Sequence, residues 1–239
     1  MSVQNIDSGT QDLLVYLEDG VLTITLNRPE ARNAFSPDLL KAFNSQLVNA
    51  EQNPSIRCIV VTGTGKAFCA GGDIKAMAAR NAKAAEITVD EAIHRQRVDQ
   101  RNTAGRLYKI PKPTLAVLPG AAAGAGLSLA LSCDLRIMAS NAIMTTAFAR
   151  VGFSGDYGDT LFMSQLIGTA KARELYYLSD RIAAEEALQL GLTNWVVEPY
   201  NLAAKTKEIA SRLAKGPSVA YRYMKENLSR ALSQGDVDD

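Results

Sequence analysis

Two short segments of small residues, each at the end of an apolar run, constrain this chain most. The segment "FCAGGDI" (68–74) follows "IRCIVV", and "AAAGAGLSL" (121–129) follows "TLAVL". A short apolar run next to glycine predicts a buried strand that ends there. Both segments therefore predict a passage from strand to helix at which the backbone is not screened by large side chains.

Two interpretations of these segments stay open on the residues alone. The first N–H groups of a helix lack partners and carry partial positive charge, so two such groups that converge would bind a developing oxyanion. The alternative is that the glycines serve tight turns or close packing between elements.

The rest of the chain predicts alternating strands and helices early and mostly helices late. Strands are predicted in "GVLTITLNRP", "IRCIVV", "TLAVL" and "LRIMA", with "TNWVVEP" as the one late strand. Ser36-Pro37 is typical of a helix N-cap and first turn. Helices are expected after Ser36, from about Gly124, and through most of the chain beyond Thr160. No internal repeat or linker stands out, and we expect a core over 1–198 with a helical region over 199–239.

Composition indicates a globular protein of a reducing compartment. The chain has 26 basic and 25 acidic residues in 239. Because these charges nearly balance, we expect no general electrostatic attraction to nucleic acid. Its three cysteines form no disulfide framework. The N-terminus has no secretory profile, and the longest apolar stretch is interrupted by proline and glycine, so we expect no membrane span and a cytoplasmic location.

Side-chain chemistry of the familiar kinds is scarce. The single histidine, His94, lies among charges, so a solvated histidine is the expected reading, and neither a Ser-His-Asp site nor a metal site is expected. The string Gly63 to Lys66 lacks the spacing of a phosphate-binding loop. Gly124-x-Gly126 lacks the third glycine of a dinucleotide fingerprint.

Four segments, in order, resemble the enoyl-CoA hydratase/isomerase family of the crotonase superfamily. They are "LNRPEARNAFS" (26–36), "GKAFCAGGDIKAM" (65–77), "KPTLAVLPGAAAGAGLSLALSCDLRIMAS" (112–140) and "LIGTAKARELYYLSDRIAAEEALQLGLTNWVVE" (166–198). The resemblance implies an α/β fold, a spiral of ββα units with a helical C-terminal trimerisation region. It also implies an acyl-CoA substrate, no cofactor besides the coenzyme A of that substrate, and a homotrimer or dimer of trimers.

The resemblance assigns roles to particular residues. The family holds the thioester oxygen of an acyl-CoA between two backbone N–H groups, which here would be those of Gly72 and Ala125. The residues expected to border the substrate are Arg28, Arg32, Ala70, Gly71, Asp73, Ile74, Lys75, Gly124, Ser128 and Phe148.

The chain departs from the family's hydratases at both of their catalytic glutamates. Ser128 and Phe148 occupy those positions, and neither can act as a general base near neutral pH. Eight residues beyond Phe148 lies Asp156, where family isomerases and dehalogenases carry an active-site aspartate. Its other reading is a helix N-cap, although Asp159 is the likelier cap.

An aspartate at position 156, in the absence of the two glutamates, favours double-bond isomerisation of an enoyl-CoA as the reaction. If Phe148 and Phe153 screen it from water, its pKa rises and it becomes a better base. A single carboxylate then suffices to move a proton from C2 to C4. Two alternatives remain: hydration, hydrolysis or carbon–carbon cleavage of an unusual acyl-CoA, and a homologue that binds CoA without turnover.

Overall fold

The computed structural model describes residues 3–73 and 88–234 of the 239. The strands, numbered in chain order, are β1 (Gln4–Ile6), β2 (Leu13–Glu18), β3 (Val21–Leu26), β4 (Cys58–Gly63), β5 (Ala67–Cys69), β6 (Thr114–Leu118), β7 (Ala121–Ala123), β8 (Leu135–Ala139), β9 (Ile143–Thr145), β10 (Ile182–Ala183) and β11 (Trp195–Val197). The helices in the described ranges are α1 (Pro37–Gln52), α2 (Val89–Asn102), α3 (Ala104–Lys109), α4 (Ala125–Leu131), α5 (Asp159–Ile167), α6 (Thr169–Leu178), α7 (Ala184–Gln189), α8 (Leu202–Lys215) and α9 (Ser218–Gln234).

The local signals in the sequence act as expected at most of these elements. The hydroxyl of Ser36 accepts a hydrogen bond from the Leu39 N–H and caps α1, with Pro37 as its first residue. The run "TLAVL" is β6 in full, and all five of its residues are buried. Parallel strands that are covered on both faces carry apolar residues in succession, which is why these runs lack alternation.

The strands form two sheets. The larger has seven strands in the order β1-β2-β3-β4-β6-β8-β11, antiparallel from β1 to β3 and parallel from β3 onward. The smaller has four strands in the order β10-β9-β7-β5, with β5, β7 and β9 parallel.

A structural repeat is present, although the sequence shows no internal repeat. Three consecutive strand pairs, β4-β5, β6-β7 and β8-β9, each place the first strand in the large sheet and the second in the small one. This is the ββα spiral expected from the resemblance. The repeat is one of backbone path, since the side chains at equivalent places differ in size and polarity.

Two apolar clusters lie on opposite faces of the large sheet. On one face, Ile59 and Val61 of β4 pack into the main core, which also contains Phe68, Cys69 and Ala125. On the other face, Cys58 and Val60 pack with residues Ile209, Ala210 and Ala214 of α8. The helix α8 therefore rests on the large sheet of its own protomer.

Three expectations need correction or comment. The late part of the chain holds a second short strand, β10, which is too short to show a period in the sequence. The apolar run "LYYL" (175–178) is predicted from the sequence to be exposed. Leu175 is buried instead, because it faces the core from α6, whereas Tyr177 is 76 % exposed. His94 lies exposed on α2, as expected. No helix within the described ranges is both long and apolar enough to cross a bilayer.

Candidate active site

In the first of the two small-residue segments, the Gly72 N–H points away from Phe35, the residue with which Gly72 forms a bridge. The carbonyl of Gly71 accepts a hydrogen bond of 2.8 Å from the N–H of Phe35, within a parallel bridge between Phe35 and Gly72. In a trans peptide the C=O and the following N–H point in opposite directions. The Gly72 N–H is therefore directed away from Phe35, and Gly72 is exposed.

The second segment presents the Ala125 N–H at the start of α4. The carbonyl of Gly124 accepts a hydrogen bond of 3.0 Å from the N–H of Ser128, so it points along the helix. The N–H of Ala125, in the same peptide group, points out of the helix start, where no intrahelical acceptor exists. No side chain of the described residues caps this end of α4.

The two segments lie against each other. A Cβ atom on Gly71 would lie 2.8 Å from the Ala123 carbonyl oxygen and 3.1 Å from the Ala125 nitrogen. One on Gly126 would lie 2.3 Å from the carbonyl oxygen of Cys69. Both glycines are therefore needed for close packing, and Gly71 also has a positive φ of 87°. The structure thus shows close packing at these glycines, and the oxyanion role of the Gly72 and Ala125 N–H groups stays a prediction that this packing does not exclude.

The loop that carries Asp156 is held to both segments. The hydroxyl of Ser128 lies 3.0 Å from the Asp156 carbonyl oxygen and 3.2 Å from the Gly124 carbonyl oxygen. Next to Asp156, the ring of Tyr157 packs against that of Phe35 at 5.5 Å. Since Phe35 also bonds to Gly71, the loop, the Gly71-Gly72 segment and the start of α4 are joined in one place. Ser128 is itself fully buried.

The carboxyl group of Asp156 is half-buried and unusually basic. Its Oδ1 atom is inaccessible to solvent and has no hydrogen-bond partner among residues 3–73 and 88–234. Burial raises the pKa of this carboxyl to about 6. The expected screen is only partly present: Phe148 is buried beside Gly124, whereas Phe153 is 52 % exposed because it lies on the outer side of the loop.

Neither aspartate caps α5, which corrects the expectation for Asp159. The cap position is Gly158, and no side chain bonds to the first N–H groups of the helix. Tyr157 and Gly158 both have positive φ, so the chain enters α5 abruptly and Asp159 becomes its first residue. The Asp159 carboxyl is fully buried instead, and burial raises its pKa to about 7. The Tyr176 hydroxyl on α6 is near enough to lower this pKa partly, without a hydrogen bond of good geometry.

Arg28, one of the residues predicted to border the CoA, forms part of an ion-pair network. Arg28 lies 3.3 Å from the Asp73 carboxylate and 3.4 Å from that of Asp12. Arg32 is exposed, and its carbonyl accepts the N–H of Ala70. Ile74 and Lys75, also predicted to border the substrate, lie outside the described residues.

Two neighbours of the site were not singled out from the sequence. Asn33 is fully buried: its side chain accepts the Arg28 N–H and donates to the carbonyls of Thr64 and Ala67. The thiol of Cys69 donates to the Asn33 carbonyl, and burial raises its pKa to about 12. Cys69 therefore stays a thiol and holds the segment in place. A lone buried asparagine gives no pattern in the sequence by which to find it.

Other parts of the molecule offer no competing chemistry near these residues. Within residues 3–73 and 88–234, no three side chains of His, Cys, Asp or Glu come together as metal ligands. A groove of about 460 Å³ lies between α8 and the large sheet, with Val60, Val117 and Ala210 among its lining residues. It is on the face of that sheet opposite to the cluster containing Cys69 and Ala125.

Comparison with known proteins identifies the family. The sequence pattern of the enoyl-CoA hydratase/isomerase family matches residues 17–238. The chain is 34% identical over 219 residues to the 1,2-epoxyphenylacetyl-CoA isomerase of Escherichia coli, covering 92% of this chain and 82% of that protein. It is 33% identical over 228 residues to the short-chain-enoyl-CoA hydratase of Clostridium acetobutylicum, covering 95% and 84%. The chain belongs to the enoyl-CoA hydratase/isomerase family.

The fold agrees with that assignment. The crystal structure of an enoyl-CoA hydratase from Polaromonas sp. JS666 superposes with a TM-score of 0.85 at 34% identity, over 93% of this chain and 84% of that one. The expected crotonase fold is therefore confirmed, and the chain is an enzyme of this family. The relatives' names include both isomerases and hydratases, so membership alone leaves the reaction open.

Proposed function

We propose that this protein isomerises the double bond of an enoyl-CoA, with Asp156 as its acid-base group. The observation that carries the proposal is the half-buried Asp156 carboxyl, with a pKa raised to about 6, on a loop joined to both small-residue segments. A base of this kind is ionised near neutral pH, yet basic enough to take a proton next to a thioester. A relative named as an isomerase adds support.

The reaction needs an acceptor for the charge that develops on the thioester oxygen. The N–H groups of Gly72 and Ala125 would donate to that oxygen, and removing one such donor typically costs about 10²–10³-fold in rate. Asp156 removes a proton from C2 of a 3-enoyl-CoA, and the C3–C4 double bond becomes part of a dienolate. The same carboxyl returns the proton to C4, which leaves a C2–C3 double bond. No water enters the product.

Asp73 is the nearest alternative base beside Gly72. Its carboxylate lies 3.3 Å from the Arg28 guanidinium, so it is already engaged in an ion pair. We therefore propose that the Asp73–Arg28 ion pair shapes the border of the substrate site and does not transfer protons. The other residues predicted to border the acyl-CoA keep that role as part of the proposal.

Hydration is the second candidate, because one relative is named a short-chain-enoyl-CoA hydratase. The two-glutamate route is not available, since those positions hold Ser128 and Phe148. Hydration, hydrolysis or carbon–carbon cleavage would then need Asp156 with a different partner. Incubation with a panel of acyl-CoAs separates the cases: an isomerase gives a product of unchanged mass, and a hydratase adds one water. Binding of CoA without any product would indicate a homologue without turnover.

The test of Asp156 is deuterium exchange at C2 of a 3-enoyl-CoA or a saturated acyl-CoA. Asp156→Asn should lose at least about 10²–10⁴-fold of the exchange rate and keep CoA binding. Because Asp156 does not cap a helix, Asp156→Ala should be equally inactive. The matched control is Asp180→Asn, an exposed aspartate just after α6. Full exchange in Asp156→Asn would assign the base elsewhere.

The proposal extends to assembly as a homotrimer or a dimer of trimers. The helix α9 exposes an apolar face, formed by Val219, Tyr223, Met224, Leu228 and Leu232. Its other side is seated on the protomer, because Lys225 pairs with Asp134 at 2.9 Å. A single protomer leaves this face in water, and a second copy of the chain would cover it.

A further inference from the structure

Among the described residues, several buried polar atoms at and beside Asp156 have no hydrogen-bond partner. Within the described ranges, six buried side-chain nitrogen and oxygen atoms lack a hydrogen bond, and four of them belong to three neighbouring residues. The four are Oδ1 of Asp156, both carboxyl oxygens of Asp159 and the hydroxyl of Tyr176. Buried polar groups are normally paired, so a concentration of exceptions in one place indicates a functional arrangement.

The fold brings these three residues together from three elements. Asp156 is on the loop before α5, Asp159 is the first residue of α5, and Tyr176 is on α6. The Tyr176 ring stacks on Phe148 at 5.9 Å, and its hydroxyl lies 3.2 Å from the position a Cβ would take on Gly155. The hydroxyl is thus held against the loop that carries Asp156.

Asp156 and Tyr176 are the titratable groups that face Asp159 in the described structure. The helix α4, which also packs against α5, contributes no titratable side chain. Among the described residues no cation acts on Asp159, so the Tyr176 hydroxyl alone offsets part of the cost of a charge on its buried carboxyl. Two carboxyl groups that share an apolar environment do not both ionise readily, and one of them retains a proton.

The retained proton belongs on Asp159. Asp159 is fully buried, whereas Asp156 is half-buried, so desolvation penalises the charge more strongly on Asp159. The directions of the pKa values agree, since that of Asp159 is raised further. A protonated carboxyl has one O–H to donate, which the unpartnered Oδ1 of Asp156 can accept, and its other oxygen can accept a hydrogen bond from the Tyr176 hydroxyl.

We propose that Asp159 is a positioning residue, which in its protonated form accepts a hydrogen bond from the Tyr176 hydroxyl and donates its own O–H to the unpartnered Oδ1 of Asp156. This bond would fix the rotamer of Asp156 so that its other oxygen is presented to the acyl chain. The inference rests on the proposed role of Asp156 as the base. It extends that role by giving the base an orienting partner, as bases in enzymes commonly have.

Two substitutions at Asp159 separate positioning from packing. Asp159→Asn keeps a donor in nearly the same shape and should retain the C2 exchange rate at pH 6. Asp159→Leu removes the donor, and a misplaced base should lower exchange by up to about 100-fold. If Asp159 only fills space, Leu should leave exchange unchanged, because apolar replacement of an unpaired buried acid is neutral or stabilising. Exchange that is lost in both folded variants would overturn the donor role.

A spectroscopic measurement tests the proton directly. In NMR spectra of protein with ¹³C-labelled aspartate, the Asp159 carboxyl should titrate near neutral pH. Its titration should be coupled to that of Asp156. In Tyr176→Phe its titration should move to higher pH, since the Tyr176 hydroxyl lowers this pKa. A carboxyl that titrates near pH 4 would overturn the proposal. This result does not depend on the reaction: if Asp156→Asn keeps full exchange, the proposed function fails, while the titration still reports whether Asp159 holds a proton.

Discussion

The hydroxyl of Ser128 lies 3.0 Å from the carbonyl oxygen of Asp156 and thereby joins the start of α4 to the acid loop. Ser128 occupies the place of a glutamate in the family's hydratases. Here it is fully buried, and within the part of the chain that the structure describes its hydroxyl bonds to two backbone carbonyls, so the position has a structural function in this fold. That it also contacts substrate stays a prediction.

Ser128→Ala should therefore loosen the loop and displace Asp156. Loss of this hydrogen bond should lower the free energy of unfolding by about 0.5–1.5 kcal/mol. The C2 exchange rate should fall as well, because the base is no longer held relative to Ala125. The matched control is Ser132→Ala: Ser132 is equally buried and bonds to the Leu129 carbonyl of the same helix. If both variants lose the same stability and neither loses exchange, Ser128 does not position the loop.

Ala125→Pro tests the backbone N–H at the start of α4. Proline is well tolerated as the first residue of a helix, but it removes the N–H and puts a ring carbon in its place. Exchange should fall by at least about 10²–10³-fold, the usual cost of one oxyanion donor. Ala184→Pro is the control, since Ala184 is also a buried alanine that begins a helix. A folded Ala125→Pro variant with normal exchange would remove the Ala125 N–H from the mechanism.

The sequence predicted the strands that lie wholly in the interior and the two small-residue segments, because these depend on local residue type. A strand that is buried on both faces, such as "TLAVL", requires apolar residues in succession. The positions of Gly71 and Gly126 have no room for a Cβ atom and therefore require glycine. The burial of Asp159 was not predictable. It depends on left-handed conformations at Tyr157 and Gly158 and on a tyrosine that comes from the next helix. Polar groups paired through tertiary contact leave no periodic signal in the chain.

The exposed face of α9 predicts an assembly that charge should disrupt. Met224→Glu combined with Leu228→Glu puts two carboxylates on this face, where Leu228 is 68 % exposed. Sedimentation at micromolar concentration should then give a monomer, against a trimer or hexamer for the wild type. Tyr200→Glu is the control, because Tyr200 is still more exposed and lies outside α9. A wild-type monomer would contradict the proposed assembly.

The raised pKa values of Asp156 and Asp159 predict that the free energy of unfolding falls as pH rises. In the folded chain the pKa is raised to about 6 for Asp156 and about 7 for Asp159, so both bind protons more tightly than in the unfolded chain. Their contribution is complete below about pH 4 and is lost as pH passes through these values. For fully buried Asp159, at ~1.4 kcal/mol per pKa unit, the free energy of unfolding should fall by an amount on the order of 4 kcal/mol.

Thermal unfolding at fixed protein concentration should detect this loss. Between pH 5 and pH 8, the midpoint of the wild type should fall by about 2–4 °C for each kcal/mol lost. Asp159→Asn has no proton to lose at this position, so its midpoint should fall much less. Asp180→Asn, at an exposed site, should follow the wild type. Equal pH dependence in the wild type and Asp159→Asn would mean that Asp159 is ionised throughout and holds no proton for Asp156.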